Sequence, residues 1–201
     1  MADFTGGISN SFSWKGLRLS ALIDFQKGGD LFSLSNTWGK FSGLTTETAE
    51  GDIRENGIAA EGVLAELDSE GNPILLDAGN PDQPGDEVYA SSGQTNDVVI
   101  PYTSHFLFNG GFFVSETDVY DASFVKLREM RLSYTIPNKV LANTGLQNMT
   151  ISMVGRNLAI LHRNVPHIDP EMAISTNNIQ GLEGGQIPSV RSIGFNLSFQ
   201  F

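Results

Sequence analysis

Cysteine is absent from the 201 residues, which excludes disulfide frameworks, thiolate zinc centres and cysteine nucleophiles. No apolar run reaches about eighteen residues, so the sequence carries no membrane-spanning helix; alternating strands that cross a membrane escape that test. Positive charge is scarce too, with 12 Lys and Arg against 23 Asp and Glu and a net charge of −11. Counting from Leu44 to Ile100 gives thirteen acidic residues and one basic, Arg54, so this stretch carries −12 and the remainder +1. Such a balance argues against nucleic acid or anionic surfaces as partners, which need clustered Lys and Arg. A solvated loop is its plain explanation. Enzyme signatures are missing as well. His105, His162 and His167 have no metal-ligand spacing, and neither a Gly-x-Ser-x-Gly elbow nor a phosphate-cradling Gly-rich loop occurs. No catalysis, metal or cofactor is expected. Asp68, Glu70 and Asn72 mimic the first ligands of a calcium loop, but Gly71 and Pro73 break the pattern. Met1-Ala2-Asp3 leads straight into strand-like sequence without a signal peptide, so either the chain is not exported or its beginning lies upstream.

What the chain does have is period-two alternation, clearest at its end. Ile193, Phe195, Leu197, Phe199 and Phe201 are large and apolar, while Gly194, Asn196, Ser198 and Gln200 between them are small or polar. One face of such a strand is greasy and the other wet. Nine residues rise about 30 Å along a strand and, tilted by roughly 40°, cover about 23 Å of height, close to the apolar band of roughly 25 Å of a membrane barrel. Soluble strands usually run about five or six residues.

The same pattern recurs earlier. Ile8, Phe12 and Trp14 lead into a Lys15-Gly16 turn, after which Leu17, Leu19, Ala21, Ile23 and Phe25 alternate with polar residues broken only by Leu22. That is a hairpin with a two-residue connection of the primed type. In 122–158, Val125 and Leu127 sit on odd positions but Met130, Leu132, Tyr134 and Ile136 on even ones, so a bulge near Arg128-Glu129 keeps them on one face. Met149, Ile151 and Met153 begin the next strand, which ends near Leu158. Between these strands lie two excursions rich in Gly, Pro and Asn, residues 27–121 and 159–188. The first holds a small hairpin at Gly62 to Asp77, turned at Asp68 to Pro73, and both carry turn signals such as Gln83-Pro84-Gly85 and Asn177-Asn178.

The expected organisation is therefore a hairpin over 3–26, a long loop over 27–121, two strands with a short turn over 122–158, a second loop over 159–188 and a final strand over 189–201. Connections alternate short, long, short, long, and in an antiparallel meander alternate connections fall on opposite edges. All short turns thus share one edge and all long loops the other, the asymmetry of an outer-membrane barrel. About five strands cannot close a barrel, which needs about eight. The fold class expected is an all-β antiparallel meander forming part of a larger barrel. The alternative is a secreted soluble β-sandwich that binds glycan.

Val119-Tyr120-Asp121-Ala122-Ser123-Phe124-Val125-Lys126-Leu127-Arg128-Glu129-Met130-Arg131-Leu132-Ser133-Tyr134-Thr135-Ile136-Pro137, then Gly155-Arg156-Asn157-Leu158, His167-Ile168-Asp169-Pro170-Glu171 and Pro188-Ser189-Val190-Arg191-Ser192-Ile193-Gly194-Phe195, resemble the C-terminal end of the SusC/RagA family of TonB-linked outer-membrane transporters. The resemblance extends to the Phe12 to Phe25 hairpin and is weakest in the acidic loop. It implies a 22-stranded transmembrane β-barrel in the outer membrane, plugged by an N-terminal domain, energised by TonB, lidded by a SusD-like surface lipoprotein and importing oligosaccharides, peptides or other nutrients. It also implies that Phe201 takes part in recognition by the barrel-assembly machinery. The plug, the TonB-contacting segment and most strands have no counterpart in these residues, so the chain alone is not expected to transport.

On this reading Leu17, Leu19, Ile23, Phe25, Ile193, Phe195, Leu197 and Phe199 face outer-membrane lipid. Trp14, Tyr134, Phe199 and Phe201 stand near the short-turn edge, where an aromatic girdle meets the headgroups. Arg18, Asp24, Glu129, Arg131, Arg156 and Gln200 line the lumen, either pairing with one another, holding the plug or simply solvated. His167, Asp169 and Glu171 gather on one side of an extended segment or, between Pro166 and Pro170, only shape a turn.

Overall fold

In the computed structural model, which describes residues 2–80, 87–108, 115–172 and 181–201, strands dominate. The chain divides into two units, Met1–Ser33 with Val119–Phe201, and Leu34–Asp118. The first contains β1 (Phe4–Trp14), β2 (Leu17–Lys27), β3 (Asp30–Ser33), β4 (Val119–Asp121), β5 (Phe124–Thr135), β6 (Asn148–Arg163), β7 (Leu182–Glu183) and β8 (Ser192–Gln200). Five of them form one antiparallel sheet in the order β1-β2-β5-β6-β8, a meander in which each strand pairs with the next in that series.

Local chemistry sets the register. Lys15 (φ 46°) and Gly16 (φ 86°) both adopt left-handed backbone between the paired Trp14 and Leu17, the requirement of a type I′ turn. From there Trp14, Leu17, Tyr134, Ile151 and Leu197 align in one row across the sheet, and Phe12, Leu19, Leu132, Met153 and Phe195 in another. Register fixed this way puts every apolar series on the same face, since a slip of one residue inverts a strand. Strand β5 keeps to that face because Arg128 is inserted: the pairing of β5 shifts between Leu127 and Glu129 against both neighbours. Opposite it, Asn157 takes φ 50° and Leu158 folds back over Gly155, where an added Cβ would stand 2.7 Å from Leu158 Cδ2. The two irregularities face each other, and β6 continues past them to Arg163, five residues beyond the end expected from the sequence. Its added length, with Ala159 and Ile160, pairs with Leu127 and Lys126.

The apolar face is open. Ile193 is 59% exposed, Phe195 81%, Leu197 53% and Phe199 54%, and a sandwich would bury such a face under a second layer. The buried hydrophobic cluster lies at the long-loop end. There Gly28 and Gly29 (φ 75° and 87°) bend the chain out of β2, and β3 pairs antiparallel with β4 and parallel with β7. Leu31, Ala122 and Val165 make a small buried cluster with Tyr120 and Ile168 against it.

At the opposite edge, β5 and β6 are joined by a short connection with one helical turn, Asn138–Leu141. Residues 34–118 hold more regular structure than the loop signals indicated. Helices Leu34–Phe41 and Tyr102–Phe108 occur in it, and the fully buried Asp118 accepts a hydrogen bond from Thr37 Oγ1 at 2.8 Å and pairs with Lys40 Nζ at 2.6 Å. Three short antiparallel pairs nest within one another: Ile58–Ala59 with Val99–Ile100, Val63–Ala65 with Ser91–Thr95, and Leu75–Asp77 with Val88–Tyr89. The hairpin read at 62–77 turns at the Leu67–Pro73 bridge, although its arms pair mainly with 88–95. Gln83-Pro84-Gly85 and Asn177-Asn178 lie outside the described residues.

Candidate functional site

The face opposite the apolar one concentrates charge of one sign. The five long strands carry Arg18, Lys27, Lys126, Arg128, Arg131, Arg156 and Arg163, seven of the chain's 12 Lys and Arg, against two carboxylates, Asp24 and Glu129. All but Lys27, which meets Asp121 at 3.8 Å at the long-loop end, share the wet side by register. Further carboxylates reach this wall from the segment between β6 and β8, which turns back over it.

The turn starts at His167, whose φ of 63° is left-handed, and is held by Ile168 N–H donating to the Pro166 carbonyl at 2.7 Å and Met172 N–H to that of Asp169 at 3.0 Å. Arg163 Nη1 ties the rim to it through the Ile168 carbonyl at 2.6 Å. Asp169 and Glu171 then project onto β5. Lys126, 3% exposed, pairs with Asp169 Oδ1 and, at 2.5 Å, with Glu171 Oε2, while its ammonium stands 5.1 Å from the centre of the Phe124 ring. Arg128 Nη2 reaches the other Glu171 oxygen at 2.6 Å and Asp24 Oδ2 at 2.5 Å; its Nη1 donates to Asn157 Oδ1 at 3.2 Å. Ser189 Oγ donates to Asp169 Oδ2 at 2.5 Å, and Asn157 Nδ2 to the Val190 carbonyl at 3.2 Å. One clamp thereby joins β2, β5, β6 and both ends of the segment leading to β8.

Burial alone pushes the Asp169 carboxyl up, but hydrogen bonds from Lys126, Ser189 and the Glu171 N–H outweigh it and hold the group below the usual carboxylate range. A buried charge needs that company, because an unpaired ion in a low-dielectric site costs several kcal/mol, on the order of 3–5 when one partner is removed.

Of the residues singled out from the sequence, Asp24 joins the clamp, and Glu129 and Arg156 pair at 3.1 Å one rung below it. Arg18 donates to Ser11 Oγ at 3.3 Å. Arg131 is exposed on the same face, and Gln200 lies at the short-turn edge opposite Asn148; neither Arg18 nor Arg131 has an ion-pair partner among the described residues. Leu17, Leu19, Ile23, Phe25, Ile193, Phe195, Leu197 and Phe199 lie together on the opposite, apolar face, with Trp14 and Tyr134 in its row nearest the β1–β2 turn. Phe199 and Phe201 stack obliquely at 6.3 Å.

Lys126 and Arg128 were not singled out. Their signals were a cation flanked by apolar residues in an alternating strand, and a second cation at the bulge itself. Asp169 and Glu171 both shape the turn and form ion pairs, whereas no metal-binding group of His, Asp or Glu occurs among the described residues. The Asp68 carboxylate is taken up by the N–H groups of Glu70 and Asn72 at 2.8 and 2.9 Å, which holds it below the usual carboxylate range, Asn72 contributing most.

No protein-family model matches the chain. It is 34% identical over 89 residues to TonB-dependent receptor P3 of Formosa agariphila, across 41% of this chain and 9% of that protein. It is 23% identical over 207 residues to TonB-dependent receptor P26 of the same organism, across 100% of this chain and 17% of that one. In fold it matches a chain of the RagAB peptide importer in its open-open state with a TM-score of 0.51 at 18% identity, covering 98% of this chain and 17% of that one. The chain thus spans 9% to 17% of the length of these relatives. In sequence and in fold it is similar to a stretch of a TonB-dependent receptor of the SusC/RagA type.

Proposed function

We propose that the chain is the C-terminal wall of a large, 22-stranded outer-membrane β-barrel that imports oligosaccharides or other nutrients. The observation that carries this reading is the open apolar face: side chains such as Phe195, 81% exposed, need a cover, and hydrocarbon supplies one that requires no second protein layer. Leu17, Leu19, Ile23, Phe25, Ile193, Phe195, Leu197 and Phe199 then meet lipid. Trp14, Tyr134, Phe199 and Phe201 form part of the girdle at the short-turn rim, and Phe201 serves the assembly machinery.

The clamp and the rungs of Arg18, Asp24, Glu129, Arg131, Arg156 and Gln200 face the lumen, where a plug domain and the solute pass or rest. The edges of β1 and β8 continue into the remaining strands, since unpaired backbone in hydrocarbon costs several kcal/mol per group. Residues 27–121 and 159–188 form outer loops that meet a SusD-like surface lipoprotein, and TonB acts from the periplasm through the plug. Similarity to proteins named TonB-dependent receptors supports this assignment. The full-length protein is expected to need detergent for solubility and to migrate faster on gels before boiling than after. A water-soluble monomer with heat-insensitive migration would sink it.

A further inference from the structure

Three carboxylates meet two cations in the clamp. Asp24 belongs to a strand paired on both sides, and Asp169, 7% exposed, is fixed by Lys126, by Ser189 and by the Glu171 N–H. Glu171 differs. Its side chain is 34% exposed, it stands in a turn outside any strand, and its carboxylate bridges the two cations with one oxygen on each, at 2.5 Å from Lys126 and 2.6 Å from Arg128. Charge-assisted hydrogen bonds to both oxygens of one carboxylate are the strong kind and fix its geometry.

The surroundings favour an anion as well. Six strand cations share the wet face with only two strand carboxylates, and Arg18 and Arg131 continue the cationic track below the clamp. A wall with an excess of one charge sign concentrates solutes of the other.

We propose that Lys126 and Arg128 form a binding site for a solute carboxylate, that Glu171 occupies it in this structure as a built-in stand-in, and that the solute displaces Glu171 and loosens the turn at 167–172. This names a ligand class for the importing barrel proposed above and rests on that reading for the solute's arrival at the lumen wall. Asp24 and Asp169 stay in place, so exchange of one carboxylate for another leaves the local charge unchanged.

A tethered competitor acts at an effective concentration of about millimolar; where it leaves about one site in ten open, removing it strengthens apparent binding by the inverse of that fraction, about tenfold. The test is calorimetric titration of N-acetylglutamate into the full-length protein in detergent, for the wild type, Glu171→Gln and Arg128→Gln. Glu171→Gln is expected to bind about tenfold more tightly than the wild type. N-acetylglutamine is expected not to bind, and Arg128→Gln to lose the affinity while keeping heat-modifiable migration. Should Arg128→Gln not fold, Arg128→Lys, which keeps the charge but loses the fork, is expected to weaken binding. Equal affinity of wild type and Glu171→Gln, equal binding of the amide, or no binding to either protein would overturn the proposal. Titration needs no uptake, so it reads the site separately from the transport role, whose failure would show as absent heat-modifiable migration.

Discussion

A single arginine moved one residue along β8 distinguishes the apolar face from the wet one. Strand β8 runs from Ser192 to Gln200, so Asn196 marks its middle. At about 3.4 Å per residue and a tilt of roughly 40°, Phe195 lies about 3 Å of height from that middle and Phe199 about 8 Å, within a band about 25 Å tall. An arginine on a barrel's lipid face costs about 2–4 kcal/mol at the midplane and falls to about 0–1 kcal/mol near the interfaces. Phe195→Arg is therefore expected to destabilise by about 2–4 kcal/mol and Phe199→Arg by less, whereas Asn196→Arg, on the wet face beside Ser152, is expected to cost under about 1 kcal/mol. Guanidinium titration of the full-length protein folded into lipid vesicles, read by heat-modifiable gel migration, gives each value. If Asn196→Arg cost as much as Phe195→Arg, or neither mattered, the assignment of the two faces would be wrong.

Lys126→Met leaves the Asp169 carboxylate buried without its cation, at a cost of about 3–5 kcal/mol borne by the clamped segment. Proteolysis between 164 and 191 is expected to accelerate, and Lys126→Met with Asp169→Leu to restore much of the protection; an unchanged cleavage rate in the single variant would discount the clamp. The carboxyl of Asp169 is held below its ordinary range, so its contribution is present above the ordinary carboxylate value of about 3.9 and is lost as pH falls through the depressed one. Hydrogen exchange of the segment should show protection constant from neutrality down to about pH 5 and lost only in strong acid; loss near neutrality would contradict this. Gly16→Ala places a Cβ 2.8 Å from the Thr135 carbonyl at φ 86° and is expected to cost about 1–2 kcal/mol, while Lys15→Asn, favoured at the first position of a type I′ turn, is expected to be neutral or stabilising. The same vesicle titration checks both, and a harmless Gly16→Ala would argue against the turn type.

The strands were legible because lipid-like alternation is a local property, written in Leu17 to Phe25 and Ile193 to Phe201 without reference to any partner. Even the bulge could be placed, since the apolar series jumps from odd to even positions across Arg128. What sequence could not show is which segments return. The sheet of β3, β4 and β7 is built from strands of four residues or fewer, too short for any period to register, and they meet only through folding of residues far apart in sequence. The clamp was hidden for the same reason: Lys126 and Asp169 are separated by 43 residues, and Pro166 and Pro170 favour a turn whatever the turn carries. Helix Leu34–Phe41 went unread because only Leu34, Trp38 and Phe41 mark its apolar side, over barely two turns.

The most direct experiment uses the absence of cysteine in this chain. Single cysteines placed in turn from Ile193 to Gln200 of the full-length protein in lipid vesicles take a spin label, whose collisions with oxygen and with a water-soluble nickel chelate report lipid and water separately. Oxygen access is expected to peak at 193, 195, 197 and 199 and nickel access at 194, 196, 198 and 200. Two profiles without period two, or nickel access at Phe195 and Leu197 as high as at Asn196, would show that something other than hydrocarbon covers that face.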